Sequence, residues 1–378
     1  AIFIIGPTGT VKDLTIAGTF TQTKSNYVGA FCGELFGSIT NCVNEATVTG
    51  NKPYRAGFAA IAYSGARLTD CTNRGTITST ASSPSSSPGG IVAEAKTDVT
   101  FLRCINEGSI NGGYGGGIVS KTQQSTFIEC GNKANLTSAV SQFGGIVGQL
   151  SPNTALAQHL VLDRCYNTGD IINNNPKQAY SAGIAAYYKS AGTVTEPVVI
   201  SNCHNTGYIS NVYNFSGGII GYISGYTTIE NCYNTGDVMA VLGAGGIAGN
   251  LGMGTSKILS CRNSGEVQVS DSRAGGIVGQ CNSAGAEVTD CFNTGNITNL
   301  ATTVVLNKNN YATKGYGAGG IAGEGGSTMT RCYNLGEIRG IANVGGLSGR
   351  PSKNSTKLYN CYNAGAIHAP ADTAGTLI

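Results

Sequence analysis

The chain has 378 residues, of which 57 are glycine and 11% are charged, and its formal net charge is +3. So small a charge over this length provides no basic surface for nucleic acid, and no apolar run reaches the ~20 residues of a membrane-spanning helix. Glycine without a period of three excludes collagen, and 40% hydrophobic residues are enough to form a core.

A triplet Cys-x-Asn recurs along the chain and defines an internal repeat. Successive cysteines of this triplet lie 26 to 41 residues apart, and four of the ten intervals are 29 residues. Residues 13–20 fit the same pattern, with Leu14 in place of the cysteine and Ile16 in place of the asparagine. The repeat therefore predicts about twelve rungs. The cysteines are Cys42, Cys71, Cys104, Cys130, Cys165, Cys203, Cys232, Cys261, Cys291, Cys332 and Cys361.

The residues between triplets are short runs with a period of two, separated by glycine, asparagine, aspartate and serine. They include a second motif, Gly-Gly-Ile-Val-Gly, and none of them has the 3.6-residue period of a helix. A rung of 29 residues made only of short strands cannot bury its apolar face alone, so neighbouring rungs must stack. We predict an all-β chain, in which residues 1–378 form one continuous parallel β-solenoid, a right-handed β-helix. Its opening rung is 1–30, its Cys-x-Asn rungs are 31–370, and a further rung starts at 371–378.

Stacking explains why the repeat uses cysteine and asparagine. Cysteine is a small, readily buried side chain, and asparagine can hydrogen-bond along its own column. Stacked cysteines have parallel Cβ directions, which disfavours disulfides, so we predict mostly free, buried thiols. Because the column has eleven cysteines, at least one stays free or pairs with Cys32 or Cys281. The chain has no Cys-x-x-Cys, and its three histidines are scattered, so we predict neither a metal nor a cofactor.

The residue between the cysteine and the asparagine of each triplet is predicted to face outward. Over seven successive rungs this position is aromatic, histidine or arginine, which is the composition of a platform for sugar rings or for a protein partner. The alternative is that stacked rings only stabilise the sheet. The members of this aromatic column are Tyr166, His204, Tyr233, Arg262, Phe292, Tyr333 and Tyr362.

Two further outward rows carry charge. The residues directly before the cysteines alternate in sign over four rungs, which favours the rung register. In the second row Asp237 and Glu266 lie on neighbouring rungs, and such a pair could act as the acid and base of a glycosidase. It could equally belong to a solvated row, and we predict that the chain is not an enzyme. The alternating row contains Asp70, Arg103, Glu129 and Arg164.

Five insertions interrupt the repeat, at 79–88, 150–160, 173–178, 187–197 and 298–316. Loops that project from a rigid scaffold are frequent sites of binding.

The pairing of the Gly-Gly-Ile motif with Cys-Tyr-Asn, at residues 217–238 and 319–338, resembles the GLUG-motif repeats of bacterial surface proteins. The resemblance implies an adhesin-like, extracellular or cell-surface location, although these residues include no signal or anchor. We therefore expect a non-catalytic stalk that binds a host glycan or an extracellular protein. Two alternatives are a filament subunit that self-associates through uncapped ends and, less favoured, a carbohydrate-active enzyme.

Overall fold

The computed structural model describes residues 2–81, 86–138, 142–151, 160–189, 197–283, 285–303, 305–306, 312–314, 317–351 and 356–370. Every regular element within these ranges is a β-strand. Over the same ranges there is no helix with the length and apolar character needed to cross a membrane. The expected start of a further rung at 371–378 lies outside the described residues.

Each rung passes through four parallel sheets, and each sheet receives strands from successive rungs. The asparagine sheet has twelve strands, which confirms the predicted number of rungs. It contains the second and third residues of every triplet. Its strands are Thr15–Ile16, Val43–Asn44, Thr72–Asn73, Ile105–Asn106, Gly131–Asn132, Tyr166–Asn167, His204–Asn205, Tyr233–Asn234, Arg262–Asn263, Phe292–Asn293, Tyr333–Asn334 and Tyr362–Asn363.

The chain next enters a fourth sheet, also of twelve strands, and then the glycine sheet, whose eleven strands lead into the Gly-Gly motif. The fourth sheet comprises Thr19–Thr21, Thr47–Gly50, Ile77–Ser79, Ile110–Asn111, Leu136–Ser138, Ile171–Asn173, Ile209–Asn211, Val238–Ala240, Val267–Val269, Ile297–Asn299, Ile338–Arg339 and Ile367–His368. The glycine sheet comprises Tyr27–Gly29, Tyr54–Ala56, Ser87–Gly89, Gly115–Gly116, Gln142–Gly144, Tyr180–Ala182, Phe215–Gly217, Gly243–Gly245, Arg273–Gly275, Ala318–Gly319 and Val344–Gly345.

The long sheet has 22 strands, and it forms the part of each rung that runs from the Gly-Gly motif to the next cysteine. Most rungs contribute two strands to it, and two rungs contribute one continuous strand. Its strands are Ile2–Ile5, Thr10–Lys12, Cys32–Leu35, Ser38–Thr40, Ala59–Ala62, Arg67–Thr69, Val92–Leu102, Val119–Ile128, Val147–Leu150, Val161–Asp163, Ala185–Lys189, Val198–Ser201, Ile220–Ser224, Thr227–Glu230, Ala248–Leu251, Ser256–Leu259, Val278–Cys281, Glu287–Thr289, Ala322–Gly325, Thr328–Thr330, Ser348–Pro351 and Lys357–Tyr359.

The predicted insertions lie at two corners of the rung. The insertion at 298–316 carries a short antiparallel pair, Val305–Leu306 with Ala312–Lys314, between the fourth sheet and the glycine sheet. Those at 150–160 and 187–197 separate two strands of the long sheet, and most of their residues lie outside the described ranges, as do 82–85 of the insertion at 79–88.

The interior consists of stacked columns, as the period-two pattern predicts. Twelve of the thirteen cysteines are buried, and Cys361 on the last described rung is half-buried. The triplet asparagines from Asn44 to Asn334 have no exposed surface. The glycines fit because neighbouring rungs approach closely: a Cβ added to Gly218 would lie 2.2 Å from the carbonyl oxygen of Gly246 and 2.4 Å from Cγ of Asn234.

One corner of the rung has a left-handed backbone conformation. The residue directly before the cysteine position has φ of 51–56° in all twelve rungs, and this conformation redirects the chain out of the long sheet. These residues are Asp13, Asn41, Asp70, Arg103, Glu129, Arg164, Asn202, Asn231, Ser260, Asp290, Arg331 and Asn360.

Candidate functional site

The aromatic column is continuous in the structure. Its seven residues each begin a strand of the asparagine sheet, and every member pairs in register with the member on the next rung. From Cys165 to Asn334 the cysteine and the asparagine of each triplet are buried, while the column residue between them is half-buried or exposed. In the last triplet Tyr362 is exposed between half-buried neighbours, so the column faces outward on every rung.

Most members of the aromatic column stack on their neighbours. The ring centroids of His204 and Tyr233 are 4.8 Å apart, those of Phe292 and Tyr333 4.9 Å, and those of Tyr333 and Tyr362 5.2 Å. The Arg262 guanidinium lies over the Tyr233 ring at 4.6 Å from the ring centroid. In stacks of this kind each ring covers the face of the next, so solvent reaches mainly ring edges and tyrosine hydroxyls.

At the first rung of the aromatic column, Tyr166 packs on a glycine. The Tyr166 ring lies over Gly131 of the preceding rung, where a Cβ would be 2.1 Å from Cζ of the ring. On its other side Tyr166 stacks on His204 with centroids 5.7 Å apart. Burial of the His204 ring in this stack lowers the pKa of His204 below its usual value, so the side chain is neutral at pH 7.

The cysteine thiols are buried, except that of Cys361, which is half-buried. All thirteen cysteines are free. The Cys232 thiol, for example, donates to the carbonyl oxygens of Glu230 at 3.3 Å and of Ile200 at 3.5 Å. Burial raises the pKa of Cys32 to about 12 and that of Cys281 to about 11, so these groups are protonated and poorly nucleophilic. Among the described residues, no three His, Cys, Asp or Glu side chains are grouped to hold a metal ion.

The carboxylates of Asp237 and Glu266 each accept a hydrogen bond from the next rung. The backbone N–H of Glu266 donates to Oδ1 of Asp237 at 2.8 Å, and the hydroxyl of Thr298 donates to Oε1 of Glu266 at 3.3 Å. The same relationship recurs between the N–H of Glu337 and Oδ1 of Asn296, at 3.2 Å. These side chains therefore help to hold each rung on the next.

The alternating charged row forms ion pairs across rungs, as predicted. Nε and Nη2 of Arg103 donate to the two carboxylate oxygens of Asp70 at 2.6 and 2.8 Å. Nε of Arg164 lies 3.0 Å from Oε1 of Glu129. The Arg103 guanidinium lowers the pKa of Asp70, although these pairs are largely exposed and contribute little to stability.

A second aromatic group, the Tyr180 cluster, was missed by the sequence analysis. Tyr180 and Phe215 belong to the glycine sheet, and Tyr187 and Tyr222 belong to the long sheet. The Tyr180 ring centroid is 4.9 Å from that of Tyr187 and 5.2 Å from that of Tyr222. The sequence signal is positional. Phe215 and Tyr222 lie two residues before and four residues after the glycine pair at 217–218, and Tyr180 and Tyr187 occupy the same positions around Ala182 and Gly183.

A comparison with protein families found the GLUG motif at residues 24–49 and 216–239. Both segments cover equivalent parts of a rung, from the glycine sheet through the long and asparagine sheets into the fourth sheet. Two rungs of the β-solenoid therefore contain a GLUG motif, and the remaining rungs repeat the same strand order. Neither the curated proteins nor the solved structures searched gave a match.

Proposed function

We propose that the chain is a rigid, non-catalytic repeat segment of a bacterial surface protein, which acts outside the cell as an adhesion stalk. The observation that carries this proposal is the aromatic column, an unbroken outward row over seven rungs of a continuous sheet. Tyrosine and arginine are enriched at protein interfaces, and a sheet this regular holds them in fixed positions.

The geometry of the aromatic column favours an extracellular protein over a glycan as its partner. A sugar ring packs on an exposed aromatic face, whereas most faces here are covered by the next ring of the stack. Ring edges and hydroxyls along a flat strip suit contacts with another protein surface. The non-catalytic assignment is supported by Asp237, whose carboxylate is engaged by the backbone of the next rung.

The test is binding of the purified chain to arrays of host extracellular proteins and glycans. One variant carries Tyr233→Ser, Phe292→Ser and Tyr333→Ser. A control variant carries Tyr213→Ser and Tyr226→Ser, which remove exposed tyrosines outside the column. Circular dichroism establishes that both variants fold. We expect the column variant alone to lose binding; a folded column variant that binds like the original chain would refute the proposal.

A further inference from the structure

A groove lies at the corner between the glycine sheet and the long sheet, on a different part of the rung from the aromatic column. Its volume is about 430 Å³, within the range of small-molecule sites. We propose that this groove is a carbohydrate-binding site that takes a neutral sugar unit. The side chains that carry the argument are Tyr114, Gln142, Gln149, Gln178, Tyr187 and Lys189.

The fold brings these residues together from three successive rungs. Gln142 lies two residues before the glycine pair of its rung and Gln149 lies four residues after it, so the two amides face the same corner. In the long sheet Gln149 pairs in register with Tyr187 on the next rung and with Lys121 on the rung before. The groove is therefore about two rung spacings long, or roughly 10 Å, which is the length of one or two sugar rings.

Tyr187 offers the groove an aromatic face. The Tyr222 ring stacks on one side of Tyr187, with centroids 5.2 Å apart and planes 14° from parallel. The opposite side of the ring looks toward the rung of Gln149, which supplies an amide and not another ring. Tyr180 packs against Tyr187 with its plane tilted by 44°. Tyr187 thus differs from inner members of the aromatic column, because no parallel ring covers its face toward Gln149, and that face can take the C–H groups of a sugar.

The amides around this face match the hydroxyls of a sugar. A glutamine side chain provides two donors and an acceptor, so Gln142, Gln149 and Gln178 can bond to hydroxyls in either sense. Gln142 is only 6% exposed, and its Oε1 has no hydrogen-bond partner among the described residues. Because Gln142 lines the groove, this unpaired oxygen marks a position for a ligand donor, and a sugar hydroxyl can supply it once the broad terminal torsion adjusts.

The interior of the groove is uncharged, which favours a neutral ligand. Its lining consists of amides, hydroxyls and phenols together with one cation, Lys189, whose charge is screened by solvent because this side chain is exposed, and no carboxylate is among its described residues. Burial, with the neighbouring tyrosines, raises the pKa of Tyr187 to about 12, so its hydroxyl is a neutral donor and acceptor. Nearby, Lys121 lies over the Tyr114 ring at 4.6 Å from the centroid, and Lys189 is an exposed cation at the rim.

The test is titration of the full chain with neutral oligosaccharides of glucose, galactose and mannose, and with sialylated and glucuronylated oligosaccharides, by calorimetry and saturation-transfer NMR. We expect a neutral sugar to bind with saturation transfer from tyrosine protons. Gln149→Ala and Tyr187→Leu should each weaken binding about tenfold, as expected for loss of a hydrogen bond or a ring face. Tyr187→Phe should keep most of the affinity.

Two controls make the result specific. Gln268→Ala alters a comparable glutamine of the fourth sheet and should leave sugar binding unchanged. The Tyr233, Phe292 and Tyr333 serine variant should also bind sugar normally, so failure of the proposed adhesion surface and failure of this site are distinguishable. The proposal is overturned by absence of sugar binding, by preference for acidic sugars, or by unchanged affinity in folded Gln149→Ala and Tyr187→Leu.

Discussion

Nδ2 of Asn234 donates a hydrogen bond to Oδ1 of Asn263 on the next rung, at 2.7 Å. Its second N–H donates to the carbonyl oxygen of Gly236, which closes the turn within its own rung. Ten such bonds between rungs, all 2.7–2.8 Å long and all in one direction, join eleven asparagines from Asn44 to Asn363. Because the chain of amides is buried and fully paired, each bond polarises the next.

The first prediction concerns this asparagine ladder. Asn234→Ala leaves three buried partners unpaired, namely Nδ2 of Asn205, Oδ1 of Asn263 and the carbonyl of Gly236. We expect a loss of about 3–5 kcal/mol in the free energy of unfolding, measured by urea denaturation. Asn363→Ala on the half-buried last rung should cost only about 1–2 kcal/mol. Equal losses in the two variants would contradict this view of the ladder.

The second prediction concerns the left-handed corner. Ser260 is exposed and has φ of 52°. We expect Ser260→Val to lower the stability by about 1–2 kcal/mol, because a β-branched residue is strained there, and Ser260→Gly to raise it by up to about 1 kcal/mol. Ser264 is exposed without positive φ, and Ser264→Val should change stability by less than about 0.5 kcal/mol. Similar effects of valine at both serines would argue against strain at the corner.

The third prediction is a pH dependence from His204. Since burial lowers its pKa in the folded state, the unfolded chain binds a proton more readily, and stability must rise with pH. The contribution is fully present above the unfolded pKa of about 6.5 and is lost as the pH falls below it. Urea unfolding at pH 7.5 and 5.5 should show this decrease, and His204→Tyr should abolish it. His368→Gln, at the exposed end of the fourth sheet, should leave it intact.

The fourth prediction concerns thiol reactivity. In the folded chain we expect a thiol reagent to modify Cys361 first, because it is the one half-buried cysteine of the thirteen. Cys361→Ser should remove the fast phase. Denaturation without a reductant should expose all thirteen thiols, and a titration that found fewer than half of them free would contradict the free-thiol structure.

Much of the fold could be predicted because the rungs repeat. The Cys-x-Asn triplet marks each rung, and a period of two assigns Cys232 and Asn234 to the core and Tyr233 to the surface. The left-handed corner had a weaker signal. Seven of its twelve residues are asparagine or aspartate, which favour positive φ, but the others include Arg103, Glu129 and Ser260, which do not.

The groove could not be predicted from the spacing between its residues. Gln149 and Tyr187 are 38 residues apart, and the sequence marks their register only through their shared position four residues after the glycine motif. Insertions of unequal length between these rungs obscure that register in the sequence. The aromatic column was easier to find because each member lies beside the cysteine that marks its rung.

The intervals between successive cysteines range from 26 to 41 residues, yet the asparagine ladder keeps one bond length throughout. The variation in length is therefore absorbed at the corners that carry insertions, such as the paired strands Val305–Leu306 and Ala312–Lys314. A foreign peptide grafted between those two strands would be held at a fixed position along the axis of the solenoid. The solenoid is in this sense a display scaffold, whose spacing is set by the buried amides and whose presented segments can be exchanged.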